Sequence, residues 1–195
     1  SLSPNKSPGP VVFLDRDGVI NRDSPEYIKS LADFEFLPRS LSAIQNLTIN
    51  RINVIVITNQ SALHRGLITQ KTLDTMHAAM IADVRARGGR IDDIFYCPHT
   101  PDEGCSCRKP APGMIHNARN KHGIDLSLAG MVGDSAKDLA CARKAGVRFT
   151  ALVKTGNFAK AQKDLEDLGI GPDRVAQDLY QAVEWLIEQF QSLKC

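Results

Sequence analysis

Short apolar runs alternate along this chain with longer stretches in which apolar residues recur every three or four positions. The runs at 11–14, 54–57, 94–96, 129–132 and 150–153 have strand length, and each is followed by polar or turn-forming residues. Helical spacing covers about 39–48, 69–87, 113–121 and 136–145. Leu179, Val183, Leu186 and Phe190 mark a last helix near 178–192, with a stripe expected to face the core and not a partner. Strands that are apolar nearly throughout and separated by helices predict an α/β fold, a mostly parallel sheet between helices. In such sheets ligands bind beyond the carboxyl ends of the strands, so the residues just after each run carry the candidate chemistry.

Three of those positions stand out. The first run leads into Asp15-Arg16-Asp17-Gly18, the second into Thr58-Asn59-Gln60-Ser61, and the fourth into Gly133-Asp134-Ser135 with Asp138 four residues beyond Asp134. Two carboxylates one residue apart after a buried strand, joined by a third from another strand, suit Mg²⁺, which takes hard oxygen ligands. A metal that neutralises phosphoryl charge would let a carboxylate attack an anionic ester. Taken alone, Asp15 and Asp17 are equally compatible with closing a turn or capping a helix. An EF-hand is excluded: Val19 and Ile20 occupy loop positions 5 and 6, where an oxygen ligand and a Gly are needed, and a strand precedes the motif where a helix should.

In order, Asp15-Arg16-Asp17-Gly18-Val19, Thr58, Lys109 within Arg108-Lys109-Pro110, and Gly133-Asp134 with Asp138 resemble the four motifs of the haloacid dehalogenase (HAD) phosphatases, across residues 11 to about 155. The resemblance implies a Rossmann-like HAD fold in which Asp15 forms an aspartyl-phosphate and Asp17 acts as general acid and then base, a role worth about 10²–10⁴ in rate. It implies that Thr58 holds a phosphoryl oxygen, that Lys109 meets transition-state charge, and that Mg²⁺ rests on Asp15, the Asp17 carbonyl and Asp134. Asp138, one helical turn past Asp134, would orient the metal waters or Lys109.

Cys97-Pro98-His99 and Cys105-Ser106-Cys107 crowd three thiols and an imidazole around a short loop rich in turn residues. Two close ligand pairs of this kind can close tetrahedrally on Zn²⁺ with no open position, as in a structural site. Disulfides compete, but reducing conditions oppose them, and a bridge between Cys105 and Cys107 would be strained. Cys141 is expected in the core and Cys195 in the tail. The cluster ends immediately before Arg108 and Lys109, so a bound Zn²⁺ would aim both cations. This loop with Cys-x-Cys-Arg-Lys-Pro resembles a zinc subgroup of the HAD phosphatases that acts on heptose bisphosphates or on histidinol phosphate. Asn59-Gln60-Ser61 with Arg65-Gly66, and Lys109-Pro110-x-Pro112-Gly113-Met114, resemble the heptose branch. Ser135 departs from it, standing where many members carry Lys, and the short loop between His99 and Cys105 is as in the histidinol branch.

Spacing leaves no room for a large cap domain, since about 40 residues separate Asp15 from Thr58 and about 50 separate Thr58 from Lys109. Specificity is therefore expected from the short loops at 21–29 and 60–66 and from the zinc loop. Asn59, Gln60, Arg65 and Arg108 are the candidate substrate donors, with Arg108 reading a remote phosphate of a phosphorylated sugar.

Composition narrows the partners. With 195 residues, 43% hydrophobic and 24% charged, residues 11–195 are expected to form one domain with a real core. A net charge of +2 and 6% aromatic residues give no basic, stacking groove for nucleic acid, which speaks against a polynucleotide phosphatase. No apolar run reaches the roughly 20 residues of a membrane span, and the Ser/Pro/Gly-rich opening 1–10 reads as a mobile tail and not as a signal peptide. A cytoplasmic monomer is expected. A zinc-stabilised binding module without turnover is the nonenzymatic alternative, but it has no need of Asp17 and Lys109 beside Asp15.

Overall fold

The computed structural model describes residues 8–194, so the expectations for residues 1–7 and for Cys195 lie outside the described residues. Six strands form one sheet: β1 (Val11–Leu14), β2 (Asn53–Asn59), β3 (Asp93–Cys97), β4 (Ala129–Gly133), β5 (Phe149–Val153) and β6 (Arg174–Ala176). Their order is β3-β2-β1-β4-β5-β6 and every pairing is parallel. The helices are α1 (Ser40–Ile49), α2 (Gln70–Ala86), α3 (Gly113–His122), α4 (Ala136–Ala145), α5 (Phe158–Leu168) and α6 (Leu179–Ser192), with three short 3₁₀ turns between them.

Alternation along the strands divides the core in two. Val12 and Leu14 of β1 and Val54 and Val56 of β2 point to one face, where they meet Ile44 and Leu47 of α1, Met80 of α2 and the stripe Leu179, Val183, Leu186 and Phe190 of α6. Val11, Phe13, Ile55 and Ile57 point to the other and pack on Met114, Ile115 and Ala118 of α3 and on Cys141 of α4. The α6 stripe is core, as its spacing predicts, and Cys141 is buried. Ordered structure begins before Val11: Pro8 is buried and the Pro10 carbonyl accepts a hydrogen bond from the Asn53 amide, so 8–10 belong to the fold and not to the tail.

Two elements fall outside the predicted set. β6 is a three-residue edge strand of which only Ala176 is buried, too short to show alternation. Helix α5 buries Ala161 and Leu165, and with Phe158 and Leu168 these do recur at helical spacing among charged neighbours, so its pattern is present in the sequence. Among the described residues no helix is long and apolar enough to cross a membrane.

The chain order reverses direction across the sheet between β1 and β4. This is the switch point of a doubly wound sheet, where the loops leaving two adjacent strands diverge and open a crevice. Val132 of β4 lies beside Leu14 of β1, and the Asp15 amide donates to the Val132 carbonyl, so Asp15 and Asp134 leave the sheet side by side.

Candidate active site

A cleft of about 480 Å³ opens at that switch point and is lined by Asp15, Asp17, Thr58, Asn59, Gln60, Arg108, Lys109, Asp134 and Asp138, drawn from the segments at the ends of β1, β2 and β4 and from the loop before α3. At its floor Lys109 is 2% exposed. Its three ammonium hydrogens have three acceptors: Asp15 Oδ1 at 2.9 Å, Asp138 Oδ1 at 2.7 Å and the Ile57 carbonyl at 2.9 Å. Burial alone would lower the lysine's pKa, but the carboxylates of Asp138 and Asp15 outweigh it and hold the ammonium well above its usual range.

The carboxylates respond in the opposite sense. Burial, with repulsion from Asp138, pushes Asp15 up to about 7 in spite of Lys109. Burial followed by the charges of Asp15 and Asp138 pushes Asp134 up to about 10. One ammonium does not balance three crowded carboxylates, so the cluster has the negative charge and oxygen donors a divalent cation needs. Carboxylate oxygens of Asp15, Asp134 and Asp138 lie within 4.8 Å of one another. Asp138 is already engaged: Oδ1 holds Lys109, and Oδ2 accepts from the amides of Asp134 and Ser135 and the Ser135 hydroxyl, closing the amino end of α4. Asp15 and Asp134 are the freer donors, and the donor set fits Mg²⁺.

Two glycines make room for Asp134. Gly18 has φ +86, and a Cβ there would stand 2.1 Å from Asp134 Oδ2; a Cβ at Gly156 would meet the same oxygen at 2.1 Å. Only a residue without a side chain fits either position, and at Gly18 the left-handed backbone adds a second reason.

Asp17 is held by four donors. Arg16 Nε and Asn21 Nδ2 donate to its Oδ1 at 2.8 and 2.9 Å, and Arg16 Nη2 and Gln60 Nε2 donate to Oδ2, both at 3.1 Å. Gln60 Nε2 also donates to Thr58 Oγ1 at 2.9 Å, which leaves the buried threonine its own hydroxyl hydrogen to give to a ligand. Asn59 lines the cleft, yet its side chain is bound at both ends to the Lys109 backbone, accepting from the amide at 3.0 Å and donating to the carbonyl at 3.1 Å. It locates the lysine, where a free substrate donor was expected. Arg65 is the expected donor that does not arrive: it is exposed on the turn after Ser61, is absent from the cleft lining, and makes only a 3.4 Å contact to Ser61 Oγ.

The thiol cluster stands beside the cleft. Sulfurs of Cys97, Cys105 and Cys107 and Nδ1 of His99 approach one another at 3.0–3.6 Å, with no disulfide among them. Burial pushes the Cys97 and Cys107 thiols up, whereas at Cys105 the Arg108 amide and neighbouring hydrogen bonds overcome burial and bring the thiol down to about 7. Three thiols and one imidazole with convergent donor atoms fit a structural Zn²⁺. Arg108, directly after the cluster, donates from Nη1 to the His99 carbonyl at 3.1 Å and still lines the cleft.

Sequence reading missed part of the rim. Lys137 and Lys160 line the cleft, in the first turns of α4 and α5. Lysines there oppose the helix dipole, a legible sign that something other than helix stability selects them, but α5 itself was not foreseen. Arg16 lies inside the Asp15–Val19 motif, where local spacing assigns it no role.

The HAD-hydrolase-like family model matches residues 106–182. The chain is 42% identical over 180 residues to the D-glycero-β-D-manno-heptose-1,7-bisphosphate 7-phosphatase of Bordetella bronchiseptica, covering 92% of this chain and 98% of that one. It is 46% identical over 146 residues to the enzyme of the same name from Pseudomonas aeruginosa, 75% of this chain and 82% of the other. Among solved structures, D,D-heptose 1,7-bisphosphate phosphatase from B. bronchiseptica, complexed with magnesium and phosphate, superposes with TM-score 0.85 over 92% of this chain and 99% of that one, at 42% identity. The D,D-heptose 1,7-bisphosphate phosphatase from Burkholderia thailandensis gives TM-score 0.68 at 31% identity, over 91% and 98%.

Proposed function

For a chain that belongs to the heptose-1,7-bisphosphate 7-phosphatase family of HAD-like hydrolases, we propose that residues 8–194 act as a single, monomeric catalytic domain that removes the C7 phosphate of D-glycero-D-manno-heptose 1,7-bisphosphate. The observation that carries the reading is the meeting of Asp15, Lys109, Thr58 and Asp134 in one cleft at the switch point. A carboxylate of Asp15 attacks phosphorus; the new O–P bond forms as the bond to the sugar oxygen breaks, and Asp17 gives that oxygen a proton. Water then attacks the aspartyl-phosphate, gives its proton to Asp17, and regenerates the Asp15 carboxylate as phosphate leaves. Lys109 and the Thr58 hydroxyl hold phosphoryl oxygens while charge accumulates on them. Asp15, Asp134 and the Asp17 carbonyl would hold Mg²⁺, which would supply neutralisation of phosphoryl charge. Cys97, His99, Cys105 and Cys107 would hold Zn²⁺, which would fix the loop that presents Arg108.

The rim favours a second phosphate. Lys160 and Asp164 pair with each other, which leaves Arg108 and Lys137 facing the cleft against Asp23. Such a rim attracts a bisphosphate and is poorly matched to the ammonium group of histidinol phosphate, the second candidate. Phosphate release with Mg²⁺ should be at least tenfold faster, in kcat/KM, from heptose 1,7-bisphosphate of either anomer than from histidinol phosphate. Preference for histidinol phosphate would overturn the substrate.

A further inference from the structure

Arg16 is 0% exposed, and Asp17 is its sole carboxylate partner among the described residues. Burying a guanidinium is unfavourable unless its hydrogens are matched. Here every side of the fork is occupied. Nε and Nη2 grip the two oxygens of Asp17, while Nη1 points away to α2, 3.2 Å from His77 Nε2 and 3.4 Å from Met76 Sδ. The face of Phe34 lies 5.8 Å from the guanidinium carbon. His77 is itself buried, and burial together with the charge of Arg16 brings its pKa down to about 4, so the imidazole is neutral. Because arginine only donates, Nε2 is the acceptor and the ring proton sits on Nδ1.

We propose that Arg16, braced from α2 by His77 and Met76, is a positioning residue that holds the Asp17 carboxyl at the angle needed for proton transfer. The inference rests on the reading of Asp17 as general acid and base. Each of the four groups bonded to Asp17 donates, so none can take a proton from it. A proton on Asp17 therefore has the cleft as its outlet, and the rigid fork sets which direction it faces. The brace reaches back to the first two turns of α2, so a helix that lines no part of the cleft governs the acid's geometry.

A positioning role differs from a merely structural one in its dependence on the leaving group. An alkoxide must be protonated as it departs; 4-nitrophenolate need not be. First-turnover release of the leaving group isolates that step from the later hydrolysis of the aspartyl-phosphate. Arg16→Met should slow release from heptose bisphosphate on the order of 10²-fold and from 4-nitrophenyl phosphate less than about threefold. His77→Leu should show the same discrimination at about a tenth of the size, and His77→Gln, which keeps an acceptor for Nη1, should recover most of it. His77→Leu carries the test if Arg16→Met does not fold. Equal slowing of both substrates by Arg16→Met, or by His77→Leu in its place, overturns the proposal. Asp17→Asn is the separate control: if it fails to discriminate between the substrates, the acid role of Asp17 falls, and if it alone discriminates, only the role of Arg16 does.

Discussion

Two clusters of ligand-type side chains sit within one loop of each other and are built in opposite ways. The carboxylate cluster stands on the ends of buried strands. Lys109, Asp138 and the Ile57 carbonyl cross-link it, and the caps of α4 and two glycine gaps shape it around Asp134. The thiol cluster is anchored at one edge, where Cys97 ends β3 inside the core and Cys105 and Cys107 pack against it. From Pro98 to Arg108 no residue is buried, and the loop's own fastenings are a short 3₁₀ turn with its Thr100–Glu103 capping box, hydrogen bonds from the Gly113 amide to the Ser106 carbonyl and from Arg108 Nη1 to the His99 carbonyl, and the exposed His64–Glu103 pair. The difference teaches that a site built on several strand ends is held by the fold's own contacts, whereas a loop with no buried residue from Pro98 to Arg108 has more order to gain from an ion.

The contrast breaks most visibly at the nucleophile. Asp15→Asn should lower kcat on the order of 10⁴-fold or more while shifting the thermal midpoint by only a few degrees, because it removes charge from a crowded, core-supported cluster. Substantial residual turnover would remove Asp15 from its role, and a collapse of the midpoint would show that the carboxylate cluster is no more self-supporting than the thiols.

Next in size is the metal on the other side. Stripping Zn²⁺ under reducing conditions should free the loop to proteolysis around 99–106 and lower kcat/KM about 10–100-fold by loosening Arg108. A stability loss on the order of 3 kcal/mol would lower the midpoint by about 10 °C. Titratable thiols and no bound zinc in freshly purified protein would refute the site.

Smaller, but specific in sign, is the pH dependence of the carboxylate cluster. Asp15 and Asp134 have folded values raised to about 7 and about 10 from an ordinary 3.8. The stability this contributes in the metal-free protein is present in full below about pH 4 and is lost as pH climbs through 7 toward 10. Mg²⁺ binds the charged forms, so the rise in thermal midpoint that it produces should be greater at pH 8.5 than at pH 5.5; a constant or shrinking rise would contradict the cation site. The stability of the thiol loop should be indifferent to Mg²⁺ at either pH.

Legibility followed the same division. Five of six strands and five of six helices could be read because their residues face a core, and a core imposes alternation or helical spacing on every residue that touches it. The edge strand β6 touches the core at one residue and leaves no pattern, whereas α5 carries helical spacing at Phe158, Ala161, Leu165 and Leu168 and is a legible element that the predicted set omits. The ligand-type residues were legible as types in motifs. Whether a polar side chain was free or engaged was not. Asn59 and Arg65 look equivalent in a list of donors, but one is spent on the Lys109 backbone and the other stays on the surface, since hydrogen-bond partners 50 residues away leave no trace in local spacing.

By itself, then, the order of residues determined the parallel α/β class, the motifs placed after β1, β2 and β4, and the composition of both clusters, because these depend on chemistry read one short segment at a time. Tertiary structure decided which of those groups meet. It set Lys109 between Asp15 and Asp138, turned Arg16 inward onto Asp17 and His77, and brought Lys137 and Lys160 from two different helices to one rim. Those are choices among long-range partners, and long-range partners are selected by the packing of the whole sheet and its helices.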